Sequence, residues 1–81
     1  MARHEVESEV TGNVWKILLE VGADVAEGDV IMILESMKME IPVESPAAGK
    51  LVELKVSAED QVEEDQVVAV VEVWTVIQNL V

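Results

Sequence analysis

The sequence predicts an all-β fold, a flattened barrel of two four-stranded sheets, and three observations lead there. Valine fills 17 of 81 positions, Phe and Tyr are absent, and Trp15 and Trp74 are the only aromatics. Stiff β-branched side chains pack well on a pleated surface, so this composition favours strands. Short apolar runs alternate with residues of turn chemistry. The chain also repeats itself at a spacing of 37 residues.

Taken in order, residues 5–10 read as a first strand, closed by a turn at Thr11-Gly12-Asn13, and residues 14–19 as a second. Val21-Gly22-Ala23-Asp24 marks the next turn, followed by a brief strand around Val25 and a turn at Glu27-Gly28-Asp29. Residues 30–35 and 39–43 are the fourth and fifth runs, and a turn follows at residues 45–49. Residues 50–56, a brief segment around Val62 and residues 67–73 complete the set. One domain is expected over residues 10–73, with residues 1–9 as an N-terminal strand or arm and residues 74–81 as an apolar tail. Val73, Trp74, Ile77, Leu80 and Val81 share one helical face. An exposed patch of this kind is usually avoided, so the tail is expected to dock on the barrel or on a partner.

The repeat aligns Gly12 with Gly49, Val25 with Val62, Glu27 with Glu64, Val30 with Val67 and Glu35 with Glu72. Val14 pairs with Leu51, Ile17 with Leu54, Leu19 with Val56 and Leu34 with Val71 in the same register. Two Val-rich strands can match by chance, but matching Gly and Glu pairs in one uninterrupted register indicate duplication. Two four-strand halves related by a pseudo-twofold give the flattened barrel. Gly22 and Gly28 have Glu59 and Asp65 as counterparts. Glycine takes positive φ freely, whereas Glu does so poorly, so a strain of about 1 kcal/mol is expected near Glu59.

Composition excludes several function classes. The net charge of −12, from 17 acidic and 5 basic residues, disfavours nucleic acid and anionic membrane as partners. Glu7, Glu9, Glu53, Glu63 and Glu64 read as a solvated face that keeps the protein soluble. Cysteine is absent, which removes disulfides, thiol nucleophiles and thiolate metal sites, and a cytoplasmic setting is expected. No apolar run approaches the ~20 residues that span a bilayer. His4 is the only histidine, so a Ser-His-Asp arrangement cannot be built. With no catalytic set and no metal site, the chain is expected to be a carrier or binding module and not an enzyme.

The most informative window is Glu35-Ser36-Met37-Lys38-Met39-Glu40, which stands between two apolar runs. Ser36 to Met39 fit a tight hairpin with Lys38 at its tip. Gly, Asn, Asp and Pro, the residues that favour such turns, are absent from it. Surface lysines are usually only solvated, and methionines usually fill core gaps. Two methionines around one lysine in a turn fit neither use, and a local choice that breaks turn chemistry points to function.

Glu35-Ser36-Met37-Lys38-Met39 resembles the attachment motif of biotinyl domains, the biotin carboxyl carrier modules of biotin-dependent carboxylases. The resemblance runs from about Val10 to about Val73, through Val21-Gly22, Gly28-Asp29-Val30 and Ser45-Pro46-Ala47-Ala48-Gly49. Lipoyl domains share that fold but usually carry an acidic residue before the lysine and a small one after it. Met37 and Met39 occupy those positions here and favour biotin.

The resemblance implies that Lys38 carries covalent biotin, attached by a biotin protein ligase through biotinyl-adenylate. Met37 and Met39 would flank it as a soft apolar surface, and Glu35 and Ser36 would complete the motif. The carrier would serve a biotin carboxylase and a carboxyltransferase in turn. Lys16, Lys50 and Lys55 sit in strand-like segments, so Lys38 is expected to be the sole modified residue. Two alternatives stand beside this reading: a lipoyl carrier of a 2-oxoacid dehydrogenase or glycine cleavage system, and an unmodified interaction module.

Overall fold

The computed structural model describes residues 2–73. The tail at residues 74–81, with its expected helical face and docking role, lies outside them. Eight strands follow one another: β1 (Ala2–Glu7), β2 (Gly12–Ile17), β3 (Asp24–Val25), β4 (Val30–Ser36), β5 (Met39–Glu44), β6 (Gly49–Leu54), β7 (Gln61–Val62) and β8 (Val67–Val73). They form two four-stranded sheets, ordered β1-β8-β6-β3 and β5-β4-β2-β7, with every pairing antiparallel. All-β architecture in two sheets is therefore what the composition and the repeat lead one to expect.

Each strand of the second half lies 37 residues after its counterpart: β5 after β1, β6 after β2, β7 after β3 and β8 after β4. The sheets do not divide along the same line. One takes β1 and β3 from the first half with β6 and β8 from the second, and the other takes the complementary four. Neither half owns a sheet, so neither can bury its apolar face without the other.

The duplication reaches individual backbone hydrogen bonds. Leu18 N donates to Ile31 O and Lys55 N to Val68 O, both at 2.9 Å. Gly28 N donates to Ser45 O at 2.9 Å, and Asp65 N to Ser8 O at 2.7 Å. The bulges match as well, with the β2–β4 register shifting between Val14 and Lys16 and the β6–β8 register between Leu51 and Glu53.

The core is built from the same pairs. Val6 and Val43, Val14 and Leu51, Val25 and Val62, Ile31 and Val68, Met32 and Ala69, and Leu34 and Val71 are all buried. Val6, Val25, Leu51, Val68, Ala69 and Val71 come from one sheet, and their counterparts face them from the other. Ser8 and Ser45, also counterparts, are the buried polar residues among those described. Each hydroxyl donates to a carbonyl two residues on, Val10 O at 2.6 Å and Ala47 O at 2.7 Å, so burial leaves neither unpaired.

Three expectations are corrected. The first strand runs over Ala2–Glu7 and not residues 5–10: its charged residues are exposed on a sheet edge, where only Val6 is buried. Gly12 and Asn13 belong to β2 and not to a turn. A Cβ on Gly12 would collide with the carbonyl oxygen of Glu35, and one on Gly49 with that of Glu72. These glycines serve close strand approach, not chain reversal. Lys55 lies one residue beyond β6 and not within a strand.

The strained counterparts are as expected. Gly22 and Gly28 have φ of 102° and 91°, and Glu59 and Asp65 have 74° and 71°. Where glycine is replaced, the backbone has moved toward the left-handed well near φ ≈ +57°, the part of positive-φ space that an L-residue tolerates best. The strain is reduced but not removed. Gly12→Ala and Gly49→Ala should each lower unfolding free energy by roughly 1–3 kcal/mol, because backbone must shift to admit a methyl group. Glu59→Gly should raise it, by less than about 1 kcal/mol, as relieved strain is partly offset by unfolded-chain entropy. Urea denaturation of the three variants checks this, and a Gly12→Ala midpoint equal to that of the unaltered protein would contradict the packing account.

Candidate functional site

Strands β4 and β5 join the two halves, and they are joined by two residues. Ser36 pairs with Met39, Glu35 with Glu40 and Leu34 with Ile41, leaving Met37 and Lys38 as the whole loop. A two-residue loop matches the right-handed strand twist only when both residues take positive φ, the type I′ turn. Met37 has φ 52° and Lys38 has φ 66°. Left-handed backbone costs an L-residue about 1–2 kcal/mol. The exposed like charges of Glu35 and Glu40, directly opposite each other, add to that cost.

Packing below the turn offsets these penalties. Met32, Leu34 and Val43 are buried, and Ile41 packs against the core. Pro42 lies on β5, a sheet edge, where a missing N–H is tolerated and discourages pairing with another chain. The hairpin is thus held at its base and projects at its tip.

Met37 is 91% exposed and Met39 61% exposed, while Lys38 and Glu35 are also exposed. The other lysines are placed differently. Lys16 lies in β2 with its ammonium 4.6 Å from the Trp15 ring centroid. Lys55 is ion-paired with Glu53 at 3.0 Å, and half-buried Lys50 stands opposite Glu72. Among the described residues, Lys38 enters no ion pair. Its side chain projects from the hairpin tip.

The structure brings the five motif residues onto one hairpin and gives Ser36 a specific contact. Its hydroxyl donates to Thr11 O at 2.8 Å, across 25 residues of sequence. Thr11 Oγ1 in turn accepts from Glu64 N at 3.2 Å. Sequence reasoning missed Thr11, which has no motif around it. The signal was in the repeat, where Thr11 and Ser36 align with Ala48 and Val73.

Lys38 lies outside the surface grooves formed by the described residues. A groove of about 580 Å³ runs between the edge strands β1 and β5, lined by Val6, Leu34 and Ile41 and bordered by Glu7, Glu9 and Glu44. None of Glu35, Ser36, Met37, Lys38 and Met39 lines it.

Residues 2–72 match the family described as biotin-requiring enzymes. The chain is 36% identical over 67 residues to a protein of Mycobacterium leprae named biotinylated protein TB7.3 homolog, covering 83% of this chain and 94% of that one. It is 39% identical over 62 residues to the biotin/lipoyl attachment protein of Bacillus subtilis, covering 76% and 85%. The crystal structure of the urea carboxylase of Kluyveromyces lactis superposes with a TM-score of 0.84 at 35% identity, over 89% of this chain and 6% of the carboxylase. The matched region is a small part of that carboxylase. The chain belongs to the biotin/lipoyl attachment family and is a biotin-carrier domain similar to those found within carboxylases.

Proposed function

We propose that this protein is a biotin carboxyl carrier, biotinylated on Lys38, that serves a biotin carboxylase and a carboxyltransferase in turn. The observation that carries the reading is the hairpin: a family that requires biotin, and one lysine lifted clear of the barrel on a strained two-residue turn. Biotin fits this position, because the amine is exposed, unpaired among the described residues and flanked by exposed thioethers. Lys38 Nζ would hold it through an amide: in the ligase site the deprotonated amine would attack the biotinyl-adenylate carbonyl, the acyl–phosphate bond would break, AMP would leave and the nitrogen would lose a further proton. When bound, biotin supplies the group that takes up and gives up a carboxyl group.

The chain's own residues supply position. The lysine stem gives reach, and the rigid hairpin fixes where that reach begins. Tethering gives a high effective concentration at both partner sites, so the carrier can visit each without binding it tightly. Met37 and Met39 form an adaptable apolar surface beside the lysine, suited to more than one partner. The ligase, the carboxylase and the transferase do the bond-making, and this chain contributes no catalytic residue of its own. The acidic surface favours basic patches on those partners, in a cytoplasmic setting.

Co-expressed with a biotin ligase, the protein should bind streptavidin stoichiometrically, and Lys38→Arg should abolish that binding with an unchanged circular dichroism spectrum. Streptavidin binding retained by Lys38→Arg would overturn the assignment.

Met37→Asp restores the acid that lipoyl domains usually carry before their lysine. It should slow biotinylation severalfold and raise acceptance by a lipoate ligase, while unfolding free energy changes by less than about 1 kcal/mol, as expected of an exposed side chain. A large loss of stability with normal biotinylation would instead give Met37 a role in folding.

A further inference from the structure

The pseudo-twofold makes the two ends of the barrel near copies, which turns any difference between them into information. The backbone bonds, bulges, core pairs and buried serines obey the repeat. The close-approach glycines obey it too, Gly12 against Glu35 and Gly49 against Glu72. The two side-chain hydrogen bonds between segments distant in sequence do not. At the lysine end, Ser36 Oγ donates to Thr11 O at 2.8 Å, and Glu64 N donates to Thr11 Oγ1 at 3.2 Å. At the opposite end the corresponding residues are Val73, Ala48 and Glu27. Valine and alanine have no hydroxyl, so the same link cannot form there.

This link joins three segments far apart in sequence. Thr11 sits between β1 and β2, Glu64 between β7 and β8, and Ser36 is the last residue of β4, one position before left-handed Met37. Among the described residues the other end of the barrel has no such hydroxyl tie, so the sheet pairings there form without it. We infer that Thr11 and Ser36 are positioning residues, which clamp the base of the hairpin to two neighbouring loops and so fix the direction in which Lys38 is presented to the ligase. The inference rests on the reading of Lys38 as the attachment site.

The mechanism predicts a particular kinetic signature. A turn carrying two strained residues and an opposed pair of glutamates has little of its own to hold its orientation. Without the clamp, the hairpin samples several orientations, of which only a fraction is competent to enter the ligase cleft. Apparent affinity falls by that fraction, whereas the step within the bound complex is unaffected. The loss belongs in KM and not in kcat.

The test compares Thr11→Val, which keeps shape but removes the hydroxyl that accepts from Glu64 N, and Ser36→Ala, which removes the donor to the Thr11 carbonyl, with the conservative Thr11→Ser. Steady-state biotinylation by a purified ligase should show KM raised roughly three- to tenfold for the first two at unchanged kcat, and near-normal KM for Thr11→Ser. Amide exchange at Met37, Lys38 and Met39 should quicken severalfold in the first two, with exchange in the core strands unaltered. Unchanged KM and unchanged hairpin exchange would overturn the inference, as would a fall in melting temperature with normal KM, which marks a merely structural contact. The two readings fail separately. If the unaltered protein takes no biotin, the attachment reading falls, and quickened exchange confined to the hairpin still decides whether the clamp exists.

Discussion

A two-residue connection between right-twisted strands demands left-handed backbone at both of its residues, and that demand shapes the functional end of this molecule. Met37 and Lys38 meet it at φ 52° and 66° without the glycine or asparagine that would make it easy. The turn is therefore held by what lies beneath it: the β4–β5 ladder and the burial of Met32, Leu34 and Val43. Placing strain on a rigid base lets a long, flexible side chain start from a defined point. Among the described residues Lys38 has no ion partner, and its side chain is exposed at the tip of that base.

The interlocked duplication explains how so small a chain supplies that base. Each sheet draws two strands from each half, and the buried pairs face one another across the core. Cooperativity follows from the topology, because separating the halves would expose both sheets together. Duplication alone would give two equivalent ends. The lysine end carries the hydroxyls of Thr11 and Ser36 where the other has Ala48 and Val73, and this difference separates presentation from folding.

Much of this was legible in the residues. The spacing of 37 gives the strand pairs, and valine and turn residues give their class. The break in turn chemistry at Met37-Lys38 marks the hairpin in the sequence itself. The reading failed where tertiary contacts override local signals. Gly12 resembles a turn residue, but its role is set by the Glu35 carbonyl against which β2 packs, 23 residues away. β1 begins earlier than its apolar content suggests, because a sheet edge accepts Arg3, His4 and Glu5 facing water. The Ser36–Thr11 bond joins positions with no sequence relation, and only the failed repeat at Ala48 and Val73 hints at it.

The strained copies of Gly22 and Gly28 teach a complementary point. Glu59 and Asp65 keep the glycine turns at φ values about 20–30° lower, so the fold adapts its angles before it abandons a turn. A lysine hairpin without glycine is tolerated for the same reason. The most direct test of the central claim, that geometry singles out one amine, is peptide mapping by tandem mass spectrometry after exposure to limiting biotin ligase. Biotin should appear only on the peptide that contains Lys38. Biotin on Lys16, Lys50 or Lys55 at a comparable level, or on no peptide at all, would contradict the account.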